Sequence, residues 1–124
     1  MPFIENSDNP IVDLSFNFGV RIVKFYRYLT TKNVYVLSKQ ILRCGTSIGA
    51  NVHESIHAQS KADFLTKMTI ALKEANESIY WLKLLNDGAY LDENQAQPII
   101  EEANSIVRVL ISIVKTTRES LDKQ

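Results

Sequence analysis

LSKQILRCGTSIGANVHESIH, residues 37–57, lays two stripes of different chemistry on one helical period. Leu37, Ile41, Cys44, Ile48, Val52 and Ile56 recur at steps of four and three, the spacing of an apolar helical seam. Arg43, Ser47, Asn51 and Glu54 recur at the same steps beside it and share a second, polar face. Gly45 and Gly49 fall in the middle of this helix with Ser47 and Ala50 around them. A mid-helix Gly costs about 1 kcal/mol relative to Ala, so a neighbouring helix is expected to approach closely at the two glycines.

Working upstream, Asn9 and Pro10 read as a helix start, an Asn cap with Pro in the first helical position. Ile11, Leu14, Phe18, Ile22, Phe25 and Leu29 then form one apolar stripe, and Val12, Phe16, Val23 and Tyr26 form a second beside it. Thr30 to Asn33 breaks the period as a turn, with Asn33 read as the cap of the next helix. Downstream, Ser60 and Asp63 form a variant capping box. It opens a third helix, in which Leu65, Met68, Leu72, Ala75, Ile79 and Leu82 alternate three and four. Gly88 reads as its C-terminal cap. Asp92 and Gln95 start a fourth helix, whose Pro98 forfeits the bond to the Asn94 carbonyl and predicts a bend or a true start nearer Gln97. Ala103, Val107, Leu110, Val114, Thr117 and Leu121 carry the period onward. These elements, about 10–29, 34–59, 61–86 and 93–120, predict an all-α chain. It should form an antiparallel up-and-down four-helix bundle, a single domain over residues 1–124.

Composition narrows the setting. Cys44 is the only cysteine, which excludes an intramolecular disulfide, and no run of about 18 apolar residues occurs to span a membrane. The chain reads as cytoplasmic, with no membrane partner. Net charge is zero, yet the charges segregate. Arg21, Lys24, Arg27, Lys32, Lys39 and Arg43 lie in a stretch without acids between Asp13 and Glu54. Asp87, Asp92, Glu93, Glu101 and Glu102 lie in one without bases between Lys83 and Arg108.

Three constellations carry candidate chemistry. His53-Glu54-Ser55-Ile56-His57 matches the HExxH string of zinc peptidases, which sets two imidazoles on one helical face with the Glu as general base. His53, His57 and Asp63 are the candidate metal ligands, and a metal-binding protein or zinc-dependent hydrolase is the alternative reading. A hairpin turning near Ser60 argues against a third ligand from Glu77, since it places Glu77 roughly 21 Å up the third helix from His57 at 1.5 Å per residue. The same facing rule sets Arg43 opposite Glu77 and Ser47 opposite Lys73. Arg43, Ser47, Asn51, Glu54, Lys73 and Glu77 thus form a polar network that fixes the pairing of two helices. No nucleophile–base pair is evident, so no catalytic residue and no cofactor are assigned. Arg21, Lys24, Arg27, Lys32 and Lys39, interleaved with Tyr26, Tyr28 and Tyr35, form a patch suited to nucleic acid or a protein partner. The bland alternatives are a solvated face or a counterpart to the acidic turn.

The strings LSKQILRCGTSIGANVHES and DFLTKMTIALKEANESIYWLKLL resemble bacterial 23S rRNA intervening-sequence proteins, over about Leu14 to Leu121. The matching positions include Arg43, Gly45, Ser47, Gly49, Asn51 and Glu54 in the first string. In the second they include Asp63, Lys73, Glu77, Tyr80 and Trp81. The resemblance implies a four-helix bundle of a kind that assembles as rings of five. A relative in fold binds nucleic acid and a reverse transcriptase. Members commonly carry Arg where this chain has Asn76, and an acidic or small residue where it has His53, so the HExxH string is peculiar to this chain. Together these readings point to a non-enzymatic oligomeric scaffold or binding module for RNA or a ribonucleoprotein. Ile106 to Val114 has seven apolar residues in nine. A homo-oligomer is therefore expected through the outer faces of the first and fourth helices, and the resemblance suggests a pentamer.

Overall fold

An amphipathic helix persists in water when a neighbour covers its apolar stripe, and four such stripes in one chain close upon each other. The computed structural model describes residues 10–123. It contains α1 (Pro10–Thr31), α2 (Val36–Ser55), α3 (Lys61–Asp87) and α4 (Glu93–Asp122). The Asn9 cap lies outside the described residues. Each helix packs on its neighbours in chain order and α4 returns to α1, with no diagonal pair as close. Cross-helix partners fix the directions as antiparallel: Gly45 meets Ile22 and Gly49 meets Ser15, Glu54 meets Lys67, and Lys61 meets Ser120. The α1–α4 seam is the shortest of the four, bridged by Arg21 and Glu102 at 2.8 Å.

Phe18, Ile22 and Leu29 of α1, Ile41 and Ile48 of α2, Met68 and Leu82 of α3, and Ile99, Ile106 and Leu110 of α4 fill the interior. Small residues let α3 sit close to its neighbours, with Ala71, Ala75 and Ser78 on its buried side. The four buried serines, Ser15, Ser38, Ser55 and Ser78, each donate to a backbone carbonyl three or four residues back. No buried side-chain nitrogen or oxygen among the described residues lacks a partner, so hydrogen bonds offset the desolvation of these groups.

The close approach expected at the glycines is present. A Cβ on Gly45 would lie 2.8 Å from Ile22 Cγ1, and one on Gly49 would lie 3.1 Å from the Ser15 carbonyl oxygen. α1 therefore rests directly on the α2 backbone, and the dispersion gained there offsets the helical cost of the two glycines.

Helix ends differ from the sequence reading in instructive ways. Asn33 does not cap α2. It adopts φ 63° and closes α1, with Val34 N–H on the Leu29 carbonyl (3.0 Å) and Asn33 N–H on that of Thr30 (3.1 Å). α2 consequently begins at Val36, and the Tyr35 hydroxyl donates to Asn33 Oδ1 at 2.8 Å. The same double bond closes α3 on Leu85 and Asn86, and its left-handed residue is Ala89 (φ 67°), one past Gly88. Gly88 has an ordinary φ of −79° and matters for room instead, because a Cβ there would lie 2.9 Å from the Leu84 carbonyl oxygen. α2 ends at Ser55, not Gln59, as the next three amides turn back by three residues. Ser60 caps α3 by accepting from Asp63 N–H at 3.0 Å, and the Asp92–Gln95 capping box opens α4 at Glu93. The helix then runs on through Pro98 without restarting, since the carbonyl left free by Pro98 belongs to exposed Asn94 in the first turn, where water satisfies it.

Two substitutions test these contacts. Gly45→Ala should lower the unfolding free energy by about 1–2 kcal/mol despite its better helix propensity, because the methyl meets a buried β-branched side chain. In an Ile22→Ala background, which lacks both of the clashing γ carbons, Gly45→Ala should cost less than it does in the parent. Ala89→Gly should raise stability by about 1 kcal/mol by removing the left-handed strain. Urea titrations followed by circular dichroism measure both, and a Gly45→Ala protein as stable as the parent would mean that the helices are not in contact there.

Candidate functional site

Arg43 projects from the outer side of α2 across the seam to α3. Its guanidinium donates to Glu77 and, at 3.3 Å, to Glu74. The same Glu77 oxygen accepts from the Trp81 indole N–H at 3.0 Å, and Tyr80 packs edge-on against Trp81 with centroids 5.1 Å apart. The Arg43–Glu77 pairing expected from facing positions is therefore made, with Glu74 as an added partner one turn before Glu77. Partial desolvation works against the Arg43 charge, but Glu77 and then Glu74 outweigh it and hold the guanidinium above its ordinary pKa. The Arg43 side chain is still 52% exposed, so the pair covers the seam and is not buried in it.

Further along, Glu54 pairs with Lys67 at 3.0 Å. Asn51 donates to the Ser47 carbonyl (2.8 Å) and hydroxyl (3.0 Å), so Ser47 is engaged along its own helix. The Ser47–Lys73 pairing does not form: the short serine side chain is held by Asn51 one turn away, and exposed Lys73 has no ion pair among the described residues. Beneath the seam the Cys44 thiol is fully buried. Its pKa is raised by burial and only partly lowered by the Ser78 hydroxyl 3.3 Å away. A thiol so placed stays protonated at neutral pH and is a poor nucleophile.

The HExxH string is not presented as a metal site. α2 ends at Ser55, so His57 lies in the turn beyond the helix that carries His53. The two exposed imidazoles meet edge-on with centroids 6.1 Å apart. Glu54 is committed to Lys67, and Asp63 Oδ2 accepts from Gln59 N–H at 3.2 Å as part of the α3 start. Glu77 is held by Arg43 and Trp81. Among the described residues no three His, Cys, Asp or Glu side chains converge to hold a metal ion.

At the opposite end of α2, the basic residues surround the first turn. Among the described residues Arg21 alone of the patch is paired with an acid, Glu102. Lys24, Arg27, Lys32 and Lys39 are exposed and have no ion pair among the described residues, and Lys32 Nζ sits 5.8 Å from the Tyr28 ring centroid. Tyr28 and Tyr35 are also exposed, while Tyr26 is half-buried. Glu102 of α4 therefore neutralises one edge of the patch and leaves the rest open.

A groove of about 500 Å³ runs along the α1–α2 seam, walled by Phe16, Val20 and Val23 against Gly49, Ala50 and Val52. Phe16 is 68% exposed, Val20 41% and Val23 42%. Of the second stripe of α1, Phe16 and Val23 thus face outward, joined by Val20, while Val12 packs on the core and Tyr26 is half-buried. The run Ile106 to Val114 behaves differently: Val107, Val109 and Ile113 pack half-buried on the core and only Ile111, at 49%, is open. The outer apolar face expected on α4 is therefore small, because the bundle covers most of that run itself. No helix among the described residues is long and apolar enough to cross a membrane.

The sequence pattern of the 23S rRNA-intervening sequence proteins matches residues 7–112. The chain belongs to that family. A crystal structure from Bacteroides thetaiotaomicron, of a protein with unknown function in the S23 ribosomal protein family, superposes with a TM-score of 0.83 at 50% identity. The alignment covers 85% of this chain and 98% of that one. No curated protein matches the chain. Arg43, Ser47, Asn51 and Glu54, together with Lys73, Glu77, Tyr80 and Trp81, fall on one exposed seam of this family member, between α2 and α3.

Because Arg43 is half exposed, Glu77→Ala should cost about 1 kcal/mol, far below the loss from breaking a buried pair. The freed Trp81 indole should also shift its fluorescence maximum to longer wavelength. A loss of 3 kcal/mol or more in urea would mean that the seam is closed to solvent.

Proposed function

We propose that this family member is a non-enzymatic, self-assembling bundle that serves in the cytoplasm as a scaffold or binding module for RNA or a ribonucleoprotein. The observation that carries this reading is the open basic end, where Lys24, Arg27, Lys32 and Lys39 lie without acid partners among the described residues, beside exposed Tyr28 and Tyr35. Basic groups free to meet phosphates, with aromatic faces among them, are the combination that nucleic-acid surfaces require. Zero net charge does not remove this field, because the sequence has no acid between Asp13 and Glu54, the stretch that carries these cations. The polar α2–α3 seam, by contrast, pairs Arg43 with Glu77 and Glu74 and Glu54 with Lys67, and the Cys44 thiol beneath it is buried and protonated. That is a structural arrangement and not a catalytic one.

Self-association is supported by the α1 stripe. Phe16, Val20 and Val23 stand in water beside an apolar groove, and a second copy is the simplest cover for them. The assembly proposed is a closed ring using the α1–α2 face, and five copies is the number that the family resemblance suggests. Light scattering on the purified protein should give about five times the 14.1 kDa of one chain. Phe16→Glu should reduce that mass to a single chain while preserving helicity. Protein recovered from native cells should carry nuclease-sensitive RNA. A parent protein that runs as one chain would overturn the assembly, and protein free of RNA that also fails to bind added RNA would overturn the binding reading.

A further inference from the structure

We propose that the strip of α1 centred on Tyr28 takes a single-stranded polynucleotide, with a base stacked on the Tyr28 ring and phosphates following Lys24, Arg27 and Lys32. This deepens the RNA-binding reading above and rests on it. Tyr28 is a divide between two shallow grooves. One, of about 300 Å³, is bounded by Arg21, Lys24 and Phe25, with Gln95 reaching in from α4. The other, of about 550 Å³, is bounded by Lys24, Arg27 and the hydroxyl-bearing Thr30 and Thr31. Lys24 and Tyr28 line both, so a chain crossing the ring keeps one cation beside it throughout. Tyr28 is 37% exposed, and the Lys32 ammonium already sits near its ring, so the ring can be approached by a polar, planar group.

The charge boundaries choose a single strand over a duplex. Arg21 is spent on Glu102, and that carboxylate marks the edge of the strip on the α4 side. What remains is about one helix wide, roughly 10 Å. A single backbone can follow it, whereas a duplex would bring its second strand over the acidic helix. Base faces inside a duplex are also stacked on one another, and the deep, narrow major groove of A-form RNA does not admit a side chain such as Tyr28. An unpaired base has a free face, and stacking on an aromatic ring tolerates any base.

The test is fluorescence anisotropy with the full chain and three labelled probes: a 12-nucleotide single-stranded RNA, the same strand annealed to its complement, and a DNA strand of the same sequence. Single-stranded RNA should bind at least tenfold tighter than the duplex at about 0.1 M salt. The DNA strand should also bind, since stacking and phosphate contacts are common to both. Tyr28→Ala should weaken the single-strand complex roughly tenfold, and Tyr28→Phe should restore it. Lys24→Gln, a surface change, should weaken binding and reduce the slope of log affinity against log salt by about 0.7. Duplex binding as tight as single-strand binding, or an unchanged affinity in folded Tyr28→Ala, would overturn this proposal and leave the wider RNA reading standing. No binding of any probe would overturn both.

Discussion

The structure depends on the backbone contact between α1 and α2, where Gly45 leaves room for Ile22 and Gly49 for the Ser15 carbonyl. Once α1 is seated there, its Phe18 and Ile22 point into the interior and its opposite stripe has nowhere to go but outward. A helix presents only part of its circumference to a bundle. The exposure of Phe16, Val20 and Val23 is thus a consequence of the same contact that builds the core, and so is the groove beside them.

Electrostatics follows the same division of labour. Along α2 and α3, ions meet ions: Arg43 with Glu77 and Glu74, and Glu54 with Lys67. These pairs stand at the surface, so they contribute more to the register of the two helices than to stability. Along α1 the positive charges greatly outnumber their acid partners, and the surplus has no structural task in the bundle. Such a surplus is where a partner of opposite charge would bind.

The histidines show how a short motif depends on the element that carries it. HExxH has meaning only where the helix continues past its second His, since both imidazoles must share a face. Here α2 stops at Ser55, two residues too early. The carboxylates that would complete a site have other duties, Asp63 in starting α3 and Glu77 in holding Arg43 and Trp81. The turn chemistry at Ile56 to Ser60 outweighed the spacing.

Read alone, the sequence determined the four helices, their antiparallel order, the Ser60 cap, the capping box at Asp92 and the facing of Arg43 with Glu77. Each of these rests on interactions a few residues apart or on a periodicity that survives in a single string. Helix ends closed by a left-handed residue were less legible, since no glycine marks them: Asn33 and Ala89 take that conformation as the following amides, Val34 and Tyr90, bond five residues back. Exposure was decided by the tertiary structure alone. Periodicity cannot say how much of a wide apolar face the neighbours will cover, and so it could not tell that α4 is mostly covered and α1 is not. It could not tell either that Arg43 stands at the rim of its seam, because solvent access at one residue is set by how closely the backbones of other helices approach it.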